Sequence, residues 1–291
     1  MCIRDRLVLG GAALVVWLFN SRLVPRAAVV RAILAMALGA AMLVAGNYIV
    51  AKNLAWTPGG YGLAFGRMLQ DGIVTRYLDD HCPDARLKLC PYRNDLPRDA
   101  DDFLWGDEVF DRLGRFTGLG DEMRTIVLES VRDYPVLQMQ AALTATAKQL
   151  VAVGTGEGVL TTIWHTYEMM QRHTPSVLPE MRAARQQSDQ IGFATVNAVH
   201  EPAALVSMAL LPALIVLGLY AADFADIGYL AGTIALALLA NAAFCGVISN
   251  PHDRYGSRLA WIAVFTTALA IGRAFVLSRE RMIRSTAEVL G

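Results

Sequence analysis

The stretch "AALVSMALLPALIVLGLYAA" at residues 203–222 runs for twenty residues without a charged side chain. At 1.5 Å per residue a helix of that length covers ~30 Å, the hydrocarbon thickness of a bilayer. Lipid offers no water to backbone N–H and C=O groups, so only helices and closed barrels cross it, and a run this long is read as a helix. Working outward, three comparable runs occupy 32–50, 227–248 and 259–277, each rich in Leu, Ala and Val with few charges. A fifth, "LVLGGAALVVWLF" (7–19), has 13 residues, ~20 Å of helix, and is read as the tail of a longer span. A signal-peptide core is the competing reading, but "NSRLVPR" follows it in place of a small-residue cleavage site. The first six residues, "MCIRDR", look like an adaptor-derived prefix and are expected to be non-native.

Composition agrees with a membrane protein. The chain is 55% hydrophobic and 18% charged, where soluble domains are nearer a quarter charged, and its mean hydropathy is +0.39. Its formal net charge of zero gives no basic field for nucleic acid. The expected fold class is all-α: a polytopic helical membrane protein of about five spans with a mostly helical extracytoplasmic domain. The expected divisions are two spans in 7–50, a domain at 51–201, then three spans and a short tail in 202–291.

Arginine asymmetry orients the spans. Arg22, Arg26 and Arg31 follow the first run without an acid, and Arg279, Arg281 and Arg284 outnumber Glu280 in the tail. Both segments belong in the cytoplasm by the positive-inside rule. Residues 51–201 are then expected in the periplasm of a bacterial inner membrane, together with the short loop 249–258. Trp17, Trp56, Tyr229 and Trp261 lie near span ends, where amphipathic rings favour the interface. An oxidising exterior favours a disulfide in "HCPDARLKLC" (81–90), between Cys82 and Cys90. Free thiols or a metal are the alternatives. His81, Cys82 and Cys90 are three ligand types, yet no C-x-x-C pair or second cluster accompanies them, so no metal site is assigned. Cys245, within a span, reads as a small packing residue.

The 151-residue segment 51–201 carries 15 Lys/Arg against 20 Asp/Glu. Leu63, Gly66, Leu69, Ile73 and Tyr77 recur at helical spacing, which predicts an amphipathic helix along the outer interface. Arg67 with Asp71, and Arg76 with Asp80, stand at i,i+4. They read as solvated ion pairs or as arginines offered to a lipid phosphate. A helical pattern over 121–153 is expected to break at Pro135. "GTGEG" (154–158) lacks the preceding strand and the lysine of a phosphate loop, and is read as a turn between helices. His165 with Glu168 at i+3 has the chemistry of a base and its partner, though a packed histidine is the favoured reading. A polar helical stretch over 179–200 leads to a span beginning after Pro202. In "SNPHDRYGSRLAW" (249–261), His252, Asp253, Arg254 and Arg258 form an external loop with more base than acid. Its charge is expected to be met by acids of the external domain or by an anionic lipid head group. No cofactor motif appears.

"YGLAFGRMLQDGIVTRYLDDHCPD", "DEMRTIVLESVRDYP" and "HDRYGSRLAW" resemble segments of a family of uncharacterised bacterial polytopic membrane proteins, over most of residues 50–270. In arrangement the chain is similar to the C-terminal half of membrane glycosyltransferases of the GT-C type. That resemblance implies a polyprenyl-phosphosugar-dependent enzyme. Arg67, Arg76, Arg254 and Arg258 would contact the lipid phosphate, supported by Asp71, Asp253 and His252. Such enzymes carry their acidic catalytic motif in a first external loop, so no catalytic residue is carried over. The second expectation is a non-catalytic scaffold whose periplasmic domain binds an envelope protein.

Overall fold

The computed structural model describes residues 26–52, 54, 60–106, 109–158, 164–188 and 190–290; the prefix, the 7–19 run, Arg22, Trp17 and Trp56 lie outside them. Among the described residues every regular element is helical. In chain order the helices are α1 (Arg26–Ala51), α2 (Gly60–Gln70), α3 (Ile73–His81), α4 (Ala100–Trp105), α5 (Val109–Arg112) and α6 (Arg115–Asp133). They continue with α7 (Pro135–Val151), α8 (Trp164–His173), α9 (Leu178–Arg182), α10 (Phe193–Tyr220), α11 (Ala225–Ile248) and α12 (Asp253–Leu290). Four of them, α1, α10, α11 and α12, are long and apolar enough to cross a membrane. The fold is all-α and polytopic, and the fifth expected span falls outside the described residues.

The chain groups into two compact units. One holds the described residues through Leu150 with Leu236–Pro251; the other holds Val151–Ala235 with the described residues from His252 onward.

In the first unit α2 packs on α3, α4 and α6. The core contains Phe65, Leu69, Ile73, Leu78, Phe103, Phe110, Met123 and Ile126, all buried. Phe65, Phe103 and Phe110 stack in series, with ring centroids 5.2 and 4.9 Å apart, a spacing that adds to the stabilisation from burial alone. The helix expected across 63–77 is two helices, broken at Gly72, whose φ is +74°. Its apolar face is in this protein core. The chain breaks again at Tyr134, where Pro135 starts α7, because proline has no N–H and restricts the residue before it.

In the second unit α10 packs along α12. α10 starts well before the expected span and continues through Pro202 and Pro212. Each proline removes one backbone bond; at Pro212, inside the apolar run, breaking the helix outright would leave more groups unmet. Gly218 and Gly228 bring α10 and α11 into backbone contact: a Cβ on Gly218 would fall 2.6 Å from the Gly228 Cα.

Cys82 and Cys90 are joined by a disulfide across a sequence separation of 8, and both sulfurs pack on the first unit's core. Closing a loop of this size restricts the unfolded chain. Replacing both cysteines by serine is expected to lower the unfolding free energy by about 2–3 kcal/mol, read from denaturant midpoints against the wild type.

Candidate functional site

The four arginines singled out in the sequence occupy different environments. Arg67, on α2, is only 5% exposed. Its Nη2 meets the Asp71 carboxylate at 2.7 Å, and its Nε donates to the Gly246 carbonyl at 3.0 Å. Gly246 is in the last turn of α11, where carbonyls have no intrahelical partner and the helix dipole is negative. The guanidinium therefore satisfies an orphan acceptor and complements that dipole in one contact. Burial pushes the Asp71 carboxyl upward, against the opposing pull of Arg67. Next in sequence, Gln70 donates to Asn250 Oδ1 at 3.1 Å and accepts from the Ala100 amide at 3.1 Å. A cavity of about 210 Å³ adjoins the pair, lined by Met68, Val131, Gln138, Ala141 and Val247 among others.

Arg76 is exposed on α3 and pairs with Asp80 at 3.0 Å. Tyr134 donates its phenol to the same Asp80 carboxylate at 2.8 Å. Desolvation first, and then that bond, push the Tyr134 phenol up to about 12. Tyr77 donates a short hydrogen bond to Glu129, and burial followed by this bond holds its phenol well above the ordinary tyrosine range. His81 stacks on the Tyr77 ring at 4.0 Å, with Nδ1 placed 2.8 Å from the Tyr77 carbonyl. Among the described residues no group of three or more His, Cys, Asp or Glu is arranged to hold a metal ion.

A polar groove of about 470 Å³ lies along Tyr77, His81, Lys88, Asp121, Thr125 and Glu129. Glu122 frames it by accepting the Lys88 and Leu89 amides at 3.0 and 2.9 Å. The Lys88 ammonium donates to the Gly118 carbonyl at 2.6 Å. At its edge the Arg86 guanidinium holds the Asp84 carboxyl down to about 2.

In the second unit the "GTGEG" turn is stitched to two helices. Asp253 accepts the Gly154 amide at 3.0 Å, and Asn197 takes the Thr155 amide at 2.9 Å while donating to its carbonyl at 3.0 Å. His200 Nε2 lies 2.9 Å from the Val153 carbonyl. Glu157 meets His252 at 2.6 Å and accepts the Arg254 amide at 2.9 Å, so an acid caps the positive N-terminal end of α12. The Arg254 guanidinium lies 5.2 Å from the Tyr255 ring centroid. Arg258 is exposed one turn further on. Among the described residues neither arginine makes an ion pair. The His165 side chain lies outside the described residues.

Sequence spacing marked the Arg67–Asp71 pair but not its burial, and it missed Gly246 entirely. The structure gives Arg273 a partner, Asp226, at 2.9 Å; the acids of "DFAD" between two apolar runs were the available signal.

Compared with known protein families, curated proteins and solved structures, the chain matches none at a significant level.

Two outcomes follow from this geometry. Arg67→Met leaves Asp71 and the Gly246 carbonyl without their partner, and is expected to lower stability by about 3–5 kcal/mol, read by denaturant unfolding of the detergent-solubilised chain. Tyr134→Phe removes the Asp80 bond and is expected to destabilise on the order of 1 kcal/mol near neutral pH. Because the native phenol is raised, the wild-type advantage is complete below the ordinary value of 10.0 and disappears as pH rises through about 12. Unfolding midpoints of the two proteins across that window check it.

Proposed function

We propose that the chain is an integral membrane protein with a non-catalytic scaffold role, whose helical segment 60–134 docks a polar surface of an envelope partner. The proposal adopts the orientation that the arginine asymmetry of the sequence supports, with that segment in the periplasm of a bacterial inner membrane. One observation carries it: the groove along α3 and α6 is lined in part by a loop that the Cys82–Cys90 disulfide closes and that the Glu122 and Lys88 contacts hold against α6. A surface already held in shape loses little freedom on binding, and this preorganisation is what a docking module needs. Arg67, Asp71, Arg76, Asp253 and His252, the polar groups marked in the sequence as site residues, are engaged in contacts within the chain.

A second reading keeps the glycosyltransferase resemblance. Arg254 and Arg258 stand at the start of an apolar helix, and guanidinium matches phosphate in shape and charge. On this reading these two contact a polyprenyl phosphate, while Arg67 and Arg76 remain tied to their carboxylates.

The readings separate in one pair of measurements. A photo-crosslinking amino acid at Thr125, in the groove, is expected to give a discrete adduct in cells that Asp121→Lys abolishes. Native mass spectrometry of the purified chain is expected to show no polyprenyl phosphate retained through Arg254 and Arg258. The absence of any groove adduct, with lipid phosphate lost on Arg254→Ala, would replace the scaffold reading by the second.

A further inference from the structure

α7 turns small residues and two glutamines toward the protein and leaves its large apolar side chains outside. The side turned toward the protein carries Gln138, Ala141, Ala145 and Gln149, of which Ala145 and Gln149 are fully buried. The outward side carries Val136, Met139, Leu143 and Val151, exposed by 69%, 63%, 64% and 64%, with Gln140 and Thr144 exposed among and beside them. These positions follow one another at intervals of three, four and eight, so they form a single stripe down the helix. Lys148 stands exposed on its flank.

The depth of this helix is set by its neighbour in the same unit. A Cβ on Gly246 would lie 2.6 Å from the Ala145 carbonyl and 3.3 Å from the Gln149 Cβ, so α7 crosses the last turn of α11 at backbone contact. α11 has 24 residues, ~36 Å of helix against a hydrocarbon layer of ~30 Å. A helix touching its final turn therefore lies at the boundary between acyl chains and head groups. Val247 and Ile248, in that same turn, are exposed as well, and the cavity beside Met68 and Val131 opens between them and α7.

We propose that α7 is an interfacial helix, seated along the hydrocarbon–head-group boundary with Val136, Met139, Leu143 and Val151 in lipid. Lys148 then reaches the phosphate layer, as long cationic side chains do at membrane surfaces. The occupant of the stripe is the bilayer itself, because the stripe meets the end of an apolar crossing helix. The proposal rests on reading α10 and α11 as membrane-crossing.

Spin labels in the full chain, reconstituted into phosphatidylcholine–phosphatidylglycerol vesicles, test it. The background replaces Cys2 by serine and Cys245 by alanine, leaving the disulfide intact. Labels go to Leu143→Cys and Met139→Cys, with Val206→Cys at mid-α10 and Asp121→Cys on α6 as references. The ratio of accessibility to oxygen over a water-soluble nickel chelate is expected to be several-fold higher at Leu143 and Met139 than at Asp121, and below that at Val206. Ratios equal to Asp121 would mean a water-facing stripe and overturn the proposal. Low accessibility to both reagents would mean a protein occupant and overturn it equally. A nickel-accessible Val206 would instead remove the membrane reading, and the proposal with it.

Discussion

A guanidinium taken out of water is costly unless its charge and its donors are both met. Arg67 meets that requirement with two acceptors far apart in sequence: the Asp71 carboxylate one turn along α2 and the Gly246 carbonyl in the last turn of α11. Much of the first unit depends on this contact. It fixes the rotation of α2, so that Phe65 and Leu69 enter the core. It also brings Gln70 to Asn250, just past the end of α11. A lysine in its place has no planar fork and would not reach both acceptors with the same geometry.

In each unit the charges follow the dipoles of the apolar helices. A cation sits at the C-terminal end of α11, and two acids, Glu157 and Asp253, sit at the N-terminal end of α12. Helix ends leave backbone groups without intrahelical partners, and near a bilayer those groups have few waters to turn to. Side chains from sequence-distant segments take over that role. This accounts for the density of buried polar contacts around helix ends in a chain that otherwise carries few charges. Just before α12, His252 is met in the same way by Glu157, an acid from 95 residues earlier in the chain.

What the sequence showed depended on the range of the signal. Hydrophobic run length is local, and it identified all four described crossing helices; α11 matches its run to within two residues, whereas α1, α10 and α12 begin before theirs and α12 continues past its end to Leu290. The break at Pro135 and the Cys82–Cys90 pairing were also legible, the first from backbone chemistry and the second from compartment. The Arg67–Asp71 spacing was legible as a pair; its burial was not, because burial is decided by Gly246, 179 residues away. Proline at 202 misled as a boundary, because α10 begins ten residues before the apolar run and continues through it.

The misassigned interfacial helix carries the same lesson in a sharper form. Amphipathic periodicity reports that a helix has two unlike faces, and leaves open which face meets the protein. In water the apolar face turns inward by the hydrophobic effect, and residues 63–77 do this, in two pieces. α7 does the opposite, because helix contact at a lipid boundary is driven by close packing more than by exclusion of water. Small residues such as Ala145 and Gly246 allow that packing, and larger apolar side chains are left on the other side. Small residues on one face of α7 and at the end of α11 were therefore the sequence signal, and they become meaningful only when both are known to meet.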